Sequence, residues 1–156
     1  MLYWISAFAR VTAILAATFS GWFALLLGHG LRGVAPRLAL DIRNAAFRLW
    51  SRLLLKAFRV RVEVEGEPPP AGSFLVSNHV SYLDIMVLAS GYDAGFVAKA
   101  DIRNWPALGT IFAAGDTLYL DRGRKRDLVR IMGQMDSTRE KGLGLIVFPE
   151  GTSTRG

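Results

Sequence analysis

The chain has 156 residues, enough for one domain with a core, and 51% of them are hydrophobic and 21% charged, which excludes a disordered chain. It has no cysteine, which excludes a disulfide framework, a thiolate nucleophile and any cysteine-ligated metal. Charge is unevenly divided: residues 1–61 hold nine Lys/Arg against the single acid Asp41, whereas residues 62–156 hold ten against twelve acids.

A basic segment within the most apolar part of a chain whose mean hydropathy is +0.28 points to an anionic membrane surface. Nucleic acid is not expected as a partner, because the folded part has no basic stretch interleaved with aromatics and no reader motif. The first predicted element is an apolar helix. No charge lies in the 21 positions between Arg10 and Arg32, and such a helix is about 30 Å long, enough to cross the hydrocarbon. Tyr3, Trp4 and Trp22 are aromatics of the interfacial kind. The exit GHGLRG offers no small-x-small cleavage site, so a retained anchor is expected in place of a cleaved signal.

After the breaker Gly33–Pro36 a second helix is predicted from Arg37 onward. Leu38, Ile42, Ala45, Leu49, Leu53 and Ala57 keep helical spacing, with Arg37, Arg43, Arg48, Arg52, Lys56 and Arg59 on the flanks. That pattern suits a helix lying in a headgroup layer, although an ordinary helix packed on the domain has the same periodicity. One span plus a surface helix, or a hairpin dipping into one leaflet, would both fit. If the first helix spans, the basic residues after it put the rest of the chain in the cytoplasm, on the inner face of the cell membrane.

The Pro-rich turn Glu67–Gly72 separates this membrane anchor, residues 1–62, from a second domain, residues 63–156. There the pattern alternates. Residues 73–78 read as a short buried strand, 81–90 as a helix, 95–99 as a strand and 105–114 as a short helical turn. Residues 117–121 read as a third strand. The next segment carries Leu128, Ile131, Met132 and Met135 on one helical face, ended by Gly142 or Gly144, and 145–149 is a fourth strand. The expected fold class is α/β, a mostly parallel sheet flanked by helices and preceded by a two-helix membrane-associated segment.

In such a sheet chemistry collects at the carboxyl ends of strands. His79 leaves the first strand as a helix begins, and Asp84 lies a turn further on. On one continuous helix the two would diverge by roughly 140°. With His79 on the preceding turn it can fold back, and the carboxylate would then fix its tautomer and raise its basicity. A histidine satisfied by nearby backbone is the plainer alternative. Phe148–Gly156 is a strand running into a Gly/Thr/Ser turn that could bind phosphate or an oxyanion, or merely be solvated. Arg122 and Lys99, each after a strand, are cationic candidates for a phosphate, whereas Arg124, Lys125 and Arg126 read as a solvated helix start. A serine-nucleophile elbow is absent.

Taken together, NHVSYLD with His79 and Asp84, GDTLYLDR ending at Arg122, and FPEGT at 148–152 resemble the glycerolipid acyltransferase family, whose best-known members are the 1-acylglycerol-3-phosphate acyltransferases. The likeness covers roughly residues 70–156 and includes FVAKADIRNWPALG between the first two blocks. It implies His79 as general base with Asp84 as its partner, and Arg122, Glu150 and Gly151 as acceptor-binding residues. Thr152 and Lys99 are candidates beside them. Ser153 stands where the family often has arginine, and an arginine follows only at Arg155. A further, proline-containing block is expected beyond Gly156, so the domain reads as cut short.

The resemblance thus implies acyl transfer from acyl-CoA or acyl-carrier protein to the free hydroxyl of lysophosphatidate, for phospholipid biosynthesis, with no metal and no organic cofactor. Alternative readings are acylation of another lysolipid such as lyso-ornithine lipid, or a membrane-attached lipid-binding protein without turnover. A soluble phosphate-binding enzyme behind a signal sequence is a further alternative.

Overall fold

The uncharged stretch after Arg10 folds into the long helix α1 (Leu2–Leu31), and Pro36, at a position where a missing N–H costs nothing, starts α2 (Pro36–Ala57). These coordinates are a computed structural model that describes residues 2–105, 108–114, 117–121 and 123–149. By its contacts the chain falls into two compact units, Met1–Glu65 with Ile85–Gly91, and Gly66–Asp84 with Tyr92–Gly156.

In the first unit α1 and α2 pack on each other. Trp50 lies against Gly21, and its indole N–H donates to the Thr18 hydroxyl at 3.3 Å. Gly28 leaves room for Arg43, since a Cβ there would stand 2.7 Å from the Arg43 Cγ. Arg43, read from sequence as a flank, is instead only 4% exposed. The buried face of α2 is Ala39, Arg43, Phe47, Trp50, Ser51, Leu54 and Leu55. Leu38, Leu49 and Leu53 of the anticipated apolar stripe remain exposed, as do Phe8, Phe19, Trp22 and Phe23 of α1. The side chains of Tyr3 and Trp4 lie outside the described set. Within α1, Ala7–Leu31 includes an 18-residue stretch of mean hydropathy 1.8 and is long and apolar enough to cross a membrane. The same unit holds the later part of α3 (Leu83–Gly91), tied to α2 where the Arg52 Nε–H donates to the Ser90 carbonyl at 2.9 Å.

The second unit is built on β1 (Phe74–Val76), β2 (Ala94–Lys99), β3 (Leu118–Leu120) and β4 (Gly144–Val147). All pair in parallel, in the order β1-β4-β2-β3. The last strand thus enters between the first two, with Ile146 level with Leu75 on one side and Phe96 on the other. Leu145 and Ile146 are buried, as a central strand requires. The β1 strand was expected to be buried, but it is the sheet's edge, and Phe74 and Val76 are 54% and 63% exposed.

The predicted turn at 105–114 resolves into a 3-10 turn (Ala100–Asn104) and the short helix α4 (Leu108–Ala114). The last helix, α5 (Lys125–Glu140), packs on β3 and β4. It buries Ile131 and Thr138 and half-buries Met135, while Met132 faces out and the Leu128 side chain lies outside the described set. Gly142 ends α5 in the left-handed region (φ +75°), with its N–H on the Arg139 carbonyl and that of Leu143 on Thr138. The same C-terminal motif closes α2, but with Arg59 (φ +58°) in the glycine position.

Candidate active site

Parallel pairing brings all the strand carboxyl ends to one edge of the sheet, and the insertion of β4 beside β1 sets the turn after Val76 next to Phe148. The ladder runs one residue past β1, through Ser77 N–H to the Val147 carbonyl at 3.1 Å, and the chain then turns into α3. Ser81 caps that helix, its hydroxyl accepting from the Leu83 N–H at 3.0 Å. Asp84 reaches back to accept from the Ser81 N–H at 2.8 Å and the Val80 N–H at 2.7 Å. This is a capping box, Ser81-x-x-Asp84, a signal present in the sequence that the motif reading passed over.

The same carboxylate oxygen meets His79. Nδ1 of the ring lies 3.0 Å from Asp84 Oδ2. A carboxylate only accepts, so Nδ1 carries the proton, and the neutral ring has its lone pair on Nε2. The divergence expected for a continuous helix is avoided because His79 precedes the cap. Burial works against the Asp84 charge, but the N–H groups of Ser81 and Val80 and the His79 ring together hold its carboxyl below the ordinary value. Asp84 therefore stays an anion and a fixed acceptor. The pairing also answers the plainer alternative: the histidine is oriented by a carboxylate.

The His79 side chain is 11% exposed. One face stacks on Phe148, centroids 4.2 Å apart and planes 24° apart, and its edge meets Tyr82 at 6.4 Å. Tyr82 in turn packs edge-on against Trp105 at 5.9 Å, and both are exposed. Phe148 is backed by Phe96 at 6.3 Å. Tyr82 and Phe148 lie within the quoted sequence blocks but were not read as partners of His79: the Phe148 contact depends on strand order, whereas Tyr82 is local to the turn that carries His79.

The other candidates fare differently. Lys99 ends β2 at the same edge of the sheet, exposed and paired with Asp101 at 2.6 Å. Arg122, Glu150, Gly151 and Thr152 lie outside the described residues, as do Ser153 and Arg155. Beside Arg122, Asp121 binds Arg124 at 3.1 Å, and its N–H donates to Asp127 at 3.0 Å, so Arg124 belongs to the helix start as expected. A groove of about 230 Å³ between Phe74, Met135, Arg139 and Leu145 lies at the opposite, amino end of the strands. Among the described residues there is no group of His, Asp and Glu that could hold a metal.

A turn-borne histidine held by a carboxylate, at the carboxyl edge of a parallel sheet, is an arrangement that can move a proton. The fold is that of the 1-acyl-sn-glycerophosphate acyltransferase of Thermotoga maritima, with a TM-score of 0.69 at 22% identity over 93% of this chain and 64% of that one. In sequence the chain is 32% identical to a 1-acyl-sn-glycerol-3-phosphate acyltransferase of Neisseria meningitidis, over 83% of this chain and 51% of that protein. It is 35% identical to a lyso-ornithine lipid O-acyltransferase of Pseudomonas aeruginosa, over 74% of this chain and 44% of that protein. The chain spans about half the length of these curated relatives. Residues 59–156 match the Acyltransferase family, and the chain belongs to it.

Proposed function

We propose that this protein moves a fatty acyl group from a thioester carrier, acyl-CoA or acyl-carrier protein, to the free hydroxyl of a lysophospholipid, with lysophosphatidate as the acceptor. The observation that carries this reading is the 3.0 Å contact between His79 Nδ1 and Asp84. His79 Nε2 takes the hydroxyl proton while Asp84 stabilises the imidazolium. The substrate oxygen attacks the thioester carbonyl and the C–S bond breaks. The imidazolium returns its proton to the departing thiolate, so the histidine ends neutral and no enzyme nucleophile is consumed. This suits a chain without cysteine. Arg122, Glu150, Gly151, Thr152 and Lys99 are the proposed acceptor-binding residues.

On this reading residues 1–62 hold the protein to the bilayer and residues 63–156 carry the chemistry on the cytoplasmic side of the inner membrane. The outward apolar face of α1 and the basic residues after it support that arrangement. A second acceptor, lyso-ornithine lipid, is supported by Ser153 in place of arginine and by the relatives that carry that name. The test is transfer of labelled acyl groups in washed membranes containing the full-length protein, with lysophosphatidate and lyso-ornithine lipid offered separately. A labelled product from either acceptor identifies the headgroup. No product from either, with both thioester donors, rejects acyl transfer in favour of lipid binding.

A further inference from the structure

Resting on the base role given to His79, we propose that Phe148 is a positioning residue: its ring, stacked on the imidazole, fixes the plane in which Nε2 points and stabilises the imidazolium that forms when the acceptor's proton is taken. The need for such a partner follows from burial. A side chain with 11% of its surface exposed has little water to solvate a new positive charge. Asp84 meets that charge in the ring plane, from the Nδ1 edge, at 3.0 Å. Phe148 meets it from above, at 4.2 Å between centroids and 24° between planes, where the negative face of an aromatic ring attracts a cation.

Phe148 is itself immobilised. It is buried and follows β4 directly, and Phe96 of β2 lies near-parallel to it at 6.3 Å and 18°. His79, Phe148 and Phe96 are thus near-parallel neighbours in turn, brought together by the insertion of β4 between β1 and β2. Asp84 prevents the imidazole from turning end over end, and Phe148 resists its tilting out of plane. A leucine at 148 would fill much of the volume and supply neither the flat surface nor the quadrupole.

The experiment uses the full-length protein with Phe148→Leu, Phe148→Met, Phe148→Tyr and Phe148→Trp. The two non-aromatic variants are expected to lower kcat about tenfold with KM for the lysolipid little changed, and the two aromatic ones to stay within about threefold of wild type. The second readout needs no turnover. With the His79 ring signals assigned by their loss in His79→Gln, ring-current shielding from a stacked Phe148 holds those protons upfield in the NMR spectrum. They should move downfield in Phe148→Leu and Phe148→Met and stay upfield in Phe148→Tyr. Equal losses of kcat in aromatic and non-aromatic variants, or ring protons unmoved in Phe148→Leu, would overturn the proposal. If Phe148→Leu does not fold, the contrast between Phe148→Met and Phe148→Tyr decides. Wild-type protein that transfers no acyl group would reject the base role, while the NMR comparison would still report whether the stack exists.

Discussion

The two units use their apolar residues in opposite ways. Among its described residues the sheet unit buries Phe96, Leu145, Ile146 and Phe148, although Phe74 and Val76 at its edge stay exposed. The helical unit leaves Phe8, Leu15, Phe19 and Phe23 bare and buries Arg43 and Ser51. An interior of that kind is poor for a protein surrounded by water and reasonable for one surrounded by lipid, where apolar side chains gain nothing by leaving the surface. The units also end helices differently. Both α2 and α5 close with a left-handed residue, but the hairpin uses Arg59 where the sheet unit uses Gly142. The same backbone device is thus strained in one unit and relaxed in the other.

Substitutions can break or sharpen this contrast. After removal of His79 itself, the largest expected effect falls on the sheet unit's chemistry: Asp84→Asn should lower acyl transfer on the order of 10²-fold, because the amide can hold His79 in the wrong tautomer. The next concerns the hairpin's surroundings. Phe19→Asp should release much of the protein from washed membranes, since an acid deep in the bilayer costs about 3 kcal/mol. Met132→Asp, on the exposed side of α5, should leave both partitioning and stability within about 0.5 kcal/mol of wild type. Equal partitioning of the two variants would remove the contrast.

Gly28→Leu should destabilise the hairpin by about 2 kcal/mol, because its side chain would collide with Arg43; protease resistance of the detergent-solubilised protein would report it. The smallest pair compares the helix ends. Gly142→Ala should cost about 1 kcal/mol in denaturant unfolding, whereas Arg59→Gly should stabilise by a few tenths, about 0.5 kcal/mol at most. Acid gives one further check. A carboxyl held below its ordinary value contributes stability that is fully present above that ordinary value and is lost as the pH falls through the lowered one. The wild type should therefore lose more stability than Asp84→Asn as the pH is taken down from 5 through the range below about 4, as followed by circular dichroism.

Much of this was legible in the sequence, and the exceptions share a cause. Element order and the parallel sheet follow from local signals, hydrophobic period and glycine stops, whereas the His79–Asp84 pair was one of two readings of the turn and rested on the family resemblance. The edge position of β1 was not legible, because an apolar run looks alike in a central and an edge strand until strand order is known. The buried face of α2 was missed because its residues include Arg43 and Ser51. Period alone favoured the leucine stripe, and only Gly21 and Gly28 on the facing helix explain the choice. The Phe148 stack joins residues 69 positions apart and depends on β4 entering beside β1. The capping box, by contrast, was readable from Ser81 and Asp84 and was passed over because Asp84 was already assigned to the histidine.

The most direct test of the account is the release of free thiol from acyl-CoA in washed membranes, with lysolipid present and absent, for wild type and His79→Ala at matched expression. The account predicts lysolipid-dependent thiol release by wild type and a loss of about 10³-fold in His79→Ala. Lysolipid-dependent release at the same rate without His79 would contradict it.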